Sequence, residues 1–592
     1  MSTPAPIHYT IKPANPGAHL FQVTLTIAQP TPNGQTVSLP AWIPGSYMIR
    51  EFAKNIVTIQ ARCKGRSVAL TKLDKHTWRT SSSTGPLEIE CEIYAWDLSV
   101  RTAHLDQTHG FFNGTSVFLR VHRQEDAPHR VTMLPPDAPN DWQVATALAR
   151  SKDTKPFSFG DYQAANYDEL IDHPVELGTF THARFTAGGV PHEIAITGRH
   201  ATDMKRLIGD VKRICEYQLA FFDKPTDLER YVFLVMAVGD GYGGLEHRAS
   251  TALICGRDDL PYVGMKEATE GYRTFLGLVS HEYFHTWNVK RIKPAAFTPY
   301  DLTQENYTRQ LWLFEGFTSY YDDLVLVRTG LLTREQYFVA LGKTIAAVRR
   351  GSGQSKQSVA ESSFDAWTKY YRQDENAPNA ITSYYAKGAL VGLALDLHVR
   401  AQTNGVRSLD DVMRALWREH GQTGIGVDES GGDSVAEEIA ALVSGLDLKR
   451  FFASYVHGTA DIPLEKFLAP FGIVLKATPG KASLGVKTAA AADGVKLTQV
   501  WDGGSAQAAG LSAGDLIVAA DGLRVSISGF DELLRRAQAA KRKLHLHVFR
   551  RDELMEFDVR PGEDAFSAWL LEPMPRTSLS IKRLQKGWLN NE

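Results

Sequence analysis

Alternation of apolar and polar residues dominates the first 175 positions. HYTIKP, FQVTLTIAQP, VTIQARC, LEIECEIYAW and SVFLRVHR each repeat with a period of two, and Pro, Gly and Asn separate them. That period puts one face of a strand on a core and leaves the other wet. Residues 1–175 are therefore expected to form a β-rich, sandwich-like N-terminal domain. Within it, LPAWIPGSYMIREFAKN (39–55) is denser in aromatic residues and prolines than an ordinary loop.

From residue 176 the period lengthens. VPHEIAITG and RYVFLVMAV still read as strands, but ATDMKRLIGDVKRICEYQLAFF and EATEGYRTFLGLVSHEYFHTWNV repeat apolar residues at helical spacing. TREQYFVALGKTIAAVRR and SLDDVMRALWREHG follow in the same period. Strands succeeded by helices predict an α+β unit with a helical extension over 176–470. GQTGIGVDESGGDS (421–434) reads as a loop. Residues 471–562 return to short strands around one helix, FDELLRRAQAA, and the tail 563–592 shows no readable pattern.

Composition narrows the classes of function. A chain of 592 residues exceeds one hydrophobic core, so several domains are expected. The formal net charge of -2 argues against nucleic acid or an anionic membrane as main partner, since both favour a basic excess. No apolar run reaches the ~18 residues of a bilayer span. The opening MSTPAPIHYTIKPANP has no basic segment leading into an apolar core. A soluble, cytoplasmic chain is the expectation. Cys63, Cys91, Cys215 and Cys255 are widely spaced and form no CxxC pair, so buried free thiols are expected.

The strongest chemical signal is HEYFH. His281 and His285 are four residues apart in a helical window and share one face, where both imidazoles can reach one metal. Glu282 beside them can take a proton from water at that metal. The competing reading is two surface histidines on an amphipathic helix. A catalytic zinc needs a third protein ligand and one open position. Nineteen residues intervene between His285 and Glu305, a spacing like that of thermolysin, but Glu305 sits in polar TQENYTRQ. Glu315 interrupts the apolar run LWLFEGF. A buried carboxylate costs several kcal/mol unless a cation meets it, which favours Glu315. Asp322, two turns further, either orients a ligating histidine or is a solvated acid. In GYGGLEHRAST (241–251), a glycine-rich turn with Gly243 and Gly244 leads into an edge strand and presents Glu246 at the turn, a carboxylate suited to a substrate's cationic amine.

HEYFH, LWLFEGFTSYY and YYAKG (384–388) together resemble the gluzincin aminopeptidases. LPAWIPGSYMIREFAKN, GGLEHRAST, HEYFHTWNVKRIKP and LWLFEGFTSYYDD resemble the glycyl aminopeptidase family more closely, over nearly the whole chain. The resemblance implies a β-rich N-terminal domain, a thermolysin-like catalytic domain and a C-terminal PDZ domain over 471–562. It also implies one zinc ion per chain on His281, His285 and Glu315. Glu246 would bind the substrate amine, although Leu245 and His247 depart from the related GxMEN segment. Tyr385 would donate to the oxyanion, with Tyr384 adjacent. SLGV (483–486) resembles a PDZ carboxylate loop, with Leu484, Gly485 and Val486 offering backbone N–H groups to a peptide C-terminus and Ser483 where glycine is usual.

An aminopeptidase acting on peptide substrates, with a preference for first residues Gly or Ala implied by the resemblance alone, is the leading expectation. The alternatives are a zinc endopeptidase and a PDZ peptide-binding scaffold with a silent peptidase domain.

Overall fold

The computed structural model describes residues 5–138, 141–430 and 434–589. Residues 431–433 of the expected loop and 590–592 of the tail lie outside the described residues. The chain forms two compact units, Met1–Asn306 with Leu416–Val427, and Tyr307–Ala415 with Asp428–Glu592.

The alternation seen in the sequence builds the first unit. Ile7–Asn15, Leu20–Ile27 and Leu87–Tyr94 bury every second side chain and lie side by side in an eight-stranded sheet. Two four-stranded sheets accompany it, one of them pairing Gln143–Thr146, Val175–Gly178, His109–Phe112 and Ala103–Leu105. SVFLRVHR departs from its expected strand. Gly114–Val117 is a buried helical turn and only Arg120–Val121 pairs in a sheet. The reason lies in the carbonyls: Phe118 and Leu119 accept from the hydroxyls of Tyr167 and Tyr9, so side chains rather than a neighbouring strand satisfy them.

A five-stranded sheet completes this unit in the order Phe180–Ala187, Val190–Thr197, Tyr231–Val238, Ser250–Gly256, Tyr242–Glu246. Its three middle strands are parallel, and Tyr242–Glu246 runs antiparallel at the edge. Helix Met204–Phe222 starts at Asp203, whose side chain accepts the Arg206 N–H, and helix Glu270–Phe284 starts at Thr269, which caps Tyr272. The two helices pack together over an aromatic bed. Phe222 stacks on Trp287 at 5.1 Å and Tyr231 meets Tyr283 edge-on at 4.7 Å.

In the second unit, helix Gly316–Arg328 crosses helix Ala386–Gln402 through two glycines. A Cβ on Gly316 would lie 2.6 Å from the Gly388 Cα, so both backbones approach as closely as they can. The PDZ sheet runs Val486–Ala491, Gly494–Val500, Leu516–Ala520, Leu544–Arg550, Glu553–Val559, all antiparallel, with helices Ser505–Ala509 and Ile527–Ala539. The tail, unreadable in the sequence, pairs Trp569–Pro573 with Ile473–Ala477 and then forms helix Leu579–Leu589. Trp588 is fully buried there, its indole N–H donating to the Tyr320 hydroxyl at 3.0 Å. All four cysteines are free; Cys91, Cys215 and Cys255 are buried and Cys63 is partly exposed. Among the described residues no helix is long and apolar enough to cross a membrane.

Candidate active site and metal centre

His281 and Glu282 lie in the last turn of helix Glu270–Phe284, and His285 is the residue that caps it with helical dihedrals. The face shared by positions i and i+4 therefore survives past the helix end. The two Nε2 atoms are 3.1 Å apart, with the rings nearly perpendicular. His285 Nδ1 lies 2.6 Å from the Asn288 carbonyl oxygen, so the proton is on Nδ1 and the Nε2 lone pair points toward His281. Two ring nitrogens at that distance need a proton or a cation between them. This donor arrangement fits a metal ion. The acceptor that orients His285 is a main-chain carbonyl, not a carboxylate, and nothing in the sequence marks it.

Glu246, Glu282 and His285 each offer an atom within 4.8 Å of the others. Glu246 ends the edge strand and is 4% exposed, yet its Oε1 has no hydrogen-bond partner among the described residues. Gly244 backs onto Glu282: a Cβ there would fall 2.1 Å from Oε1. Beside Gly243 an added Cβ would meet nothing within 4 Å, so the face of the strand is open at that residue.

The aromatic segment at 39–55 reaches the same place. Ser46 N–H closes a turn onto the Ile43 carbonyl at 3.0 Å, and Gly45, at φ +93°, backs onto the Glu246 carboxylate. The turn is anchored by the Trp42 indole N–H on the Asp301 carbonyl at 2.8 Å and by Tyr47 stacked on Phe297 at 5.7 Å. Asp172 braces the two residues that follow Glu246. Its carboxylate accepts from Lys290 Nζ at 2.7 Å, from the Arg248 main-chain N–H at 3.0 Å and from His247 Nδ1 at 3.3 Å. Burial raises its pKa, but Lys290 and Arg248 outweigh that and hold the carboxyl well below the usual carboxylate range. Neither Gly45 nor Asp172 stands out in the sequence as a site residue.

In the second unit, Glu315 sits at the junction of helices Leu311–Phe314 and Gly316–Arg328 and is 2% exposed. Leu311, Trp312, Leu313, Phe314 and Phe317 around it are equally buried, as the apolar run implied. Glu305, in the first unit, is only partly buried. Tyr385 is half-exposed at the start of helix Ala386–Gln402, whereas Tyr384 is fully buried, their rings 4.7 Å apart. Burial, with Tyr371 and Glu315 nearby, pushes the Tyr384 phenol well above its ordinary pKa. Asp322 lies on helix Gly316–Arg328, where its Oδ1 accepts the Asp323 N–H at 2.6 Å. In the SLGV loop, the Gly485 N–H donates to Ser483 Oγ at 2.9 Å, so one amide expected to face a peptide carboxylate is already engaged. Leu484 is buried in the PDZ core.

Residues 8–179 match the Peptidase M61 N-terminal domain, residues 274–391 match M61 glycyl aminopeptidase and residues 470–549 match the PDZ domain. A solved structure of an aminopeptidase N family protein from Idiomarina loihiensis is similar at 41% identity and a TM-score of 0.94, covering 99% of this chain and 100% of that one. An M1 zinc metallopeptidase from Deinococcus radiodurans is similar at 14% identity and a TM-score of 0.45, covering 78% of this chain and 95% of that one. No curated protein matches the chain.

Proposed function

The chain belongs to the M61 glycyl aminopeptidase family and is a metallopeptidase of the aminopeptidase type; on that premise we propose that it uses zinc to release a small first residue, glycine or alanine, from peptides. We assign the metal to His281, His285 and Glu315. Two imidazoles and a carboxylate are a donor set that leaves zinc an open fourth position. The burial of Glu315 supports its assignment, because a carboxylate so enclosed needs a cation. When bound, zinc supplies a Lewis acid that polarises the scissile carbonyl and acidifies water.

The chain's own residues do the rest. Glu246 pairs with the substrate α-ammonium, and the open edge of Tyr242–Glu246, at Gly243 and Gly244, receives the substrate backbone. Glu282 takes the proton of the attacking water and returns it to the leaving amine. Tyr385, half-exposed where Tyr384 is buried, donates its phenol O–H to the carbonyl oxygen as negative charge grows there. Asp322 is assigned to orient His281, the ligand whose partner is not the Asn288 carbonyl. The preference for a small first residue rests on the family resemblance alone.

One observation carries this reading: a buried carboxylate oxygen of Glu246, without a hydrogen-bond donor, beside Glu282 and His285. It calls for a cation, and a free peptide amine is one. The test compares glycyl and leucyl anilides with an N-acetylated glycyl peptide, alongside metal analysis. Zinc at one per chain and cleavage restricted to free amines are expected. Equal cleavage of the acetylated peptide would return the endopeptidase reading.

A further inference from the structure

A cavity of about 550 Å³ lies inside the second unit, between the helical layer and the PDZ domain. One wall carries Arg350 and Gln354 with Ser383, two residues before Tyr385; the other carries Lys487, Gln499 and Trp501. The volume falls within the roughly 300–1,000 Å³ of small-ligand sites.

The walls are fixed to each other. Asn379 Nδ2 donates to the Val500 carbonyl at 2.8 Å, and the Asp502 N–H donates to Asn379 Oδ1 at 2.9 Å. The Asp502 carboxylate also takes the Ser352 hydroxyl at 2.7 Å and the Lys356 ammonium. The PDZ domain is thus docked on the peptidase helices through specific polar contacts, not merely linked to them by the chain.

The cavity is cationic. Arg350 lies over the Trp501 ring at 5.5 Å, Lys487 stands on the facing hairpin, and no Asp or Glu lines the space among the described residues. Strand Val486–Ala491, which carries Lys487, is the last strand of its sheet and pairs on one side only with Gly494–Val500. Meanwhile the SLGV loop has given one amide to Ser483. An anion is therefore better served by Arg350 and Lys487 than by the loop.

We propose that this cavity binds the carboxylate end of a short peptide substrate, with Arg350 and Lys487 pairing to the terminal carboxylate. That the peptide is a substrate rests on the aminopeptidase reading; that a peptide carboxylate binds here does not.

The test uses the full-length wild-type chain and two probes, N-acetyl-tetraalanine as free acid and as its C-terminal amide. Neither presents a free amine, so binding is read without turnover, by calorimetry. The acid is expected to bind at least tenfold more tightly than the amide. R350A/K487A should bring that ratio to about one, and the length-preserving single variants R350Q and K487Q should each lower it. Equal affinity for acid and amide in the wild type, or a ratio that persists in folded R350A/K487A, overturns the proposal. Glycyl anilide, which has no carboxylate, reads the catalytic assignment separately. A wild-type chain that cleaves no anilide yet keeps the tenfold ratio supports this site while removing the aminopeptidase reading.

Discussion

Gly45 and Glu246 come together so tightly that no methyl group fits between them. A Cβ at residue 45 would lie 2.5 Å from Oε1 and 2.6 Å from Oε2 of Glu246, and Gly45 holds φ +93°, where an L side chain is strained in any case. A turn of the N-terminal β-rich region is thereby the wall behind the proposed amine-binding carboxylate. Gly45→Ala should displace Glu246 and lower kcat/KM on glycyl anilide by roughly a hundredfold, about 2.7 kcal/mol of transition-state stabilisation. Zinc content should stay at the wild-type level. Wild-type kinetics in Gly45→Ala would show that the carboxylate's position does not matter to the reaction.

A second glycine contact positions the proposed third ligand. An added Cβ on Gly388 would meet the Trp312 carbonyl oxygen at 2.8 Å and the Gly316 Cα at 2.9 Å. Both neighbours flank Glu315 in the chain. Gly388→Ala should push the two helices apart and reduce bound zinc measured after dialysis against trace metal. Full zinc retention in a folded Gly388→Ala protein would mean that Glu315 is not a ligand, or that the helix crossing does not place it.

Asp172 joins Lys290, Arg248 and His247 in a buried cluster. Removing its charge leaves cations uncompensated in the interior, which typically costs about 3–5 kcal/mol. Asp172→Asn should shift the urea midpoint down accordingly, and activity should fall with it because Glu246 immediately precedes His247. The folded carboxyl titrates well below an unfolded aspartate, so this stabilisation is full at neutral pH and is lost progressively as the pH falls from the unfolded value toward the folded one.

His192 predicts a second acid dependence. Its ring is buried, with Nε2 at 2.9 Å from the Tyr283 hydroxyl, and burial lowers its pKa from 6.5 to about 4. Between those values the unfolded chain binds a proton that the folded chain refuses. Stability therefore rises with pH across that window by about 1.4 kcal/mol per unit for this group. In urea titrations at pH 4.5 and 6.5, His192→Gln should flatten the difference by about one proton's worth. An unchanged difference would place the acid sensitivity elsewhere.

Local patterns read well wherever the physics is local. The period of two in FQVTLTIAQP and LEIECEIYAW predicted strands that the sheet contains, because alternation alone decides which face is buried. SVFLRVHR misled because its carbonyls are satisfied by Tyr9 and Tyr167, residues far away in the chain. The tail was opaque for a related reason. Leu579–Leu589 is a helix whose Trp588 is buried against residues some 260 positions earlier, with its carbonyl held by Arg328 and its indole by Tyr320.

By itself the sequence singled out the candidate residues for the chemistry: two histidines and a glutamate at helical spacing, a carboxylate inside an apolar run, a glycine-flanked acid and a tyrosine before an apolar helix. Helical periodicity and the cost of burying charge are properties of short segments, so they can be read along the chain. Only the tertiary structure decided that the Asn288 carbonyl sets the His285 tautomer, that Gly45 backs Glu246, that Asp172 braces its neighbours and that Ser483 takes a PDZ-loop amide. Those relationships join a glycine, a main-chain oxygen or an ordinary acid to a partner, and no composition or period marks such atoms until folding brings them into contact.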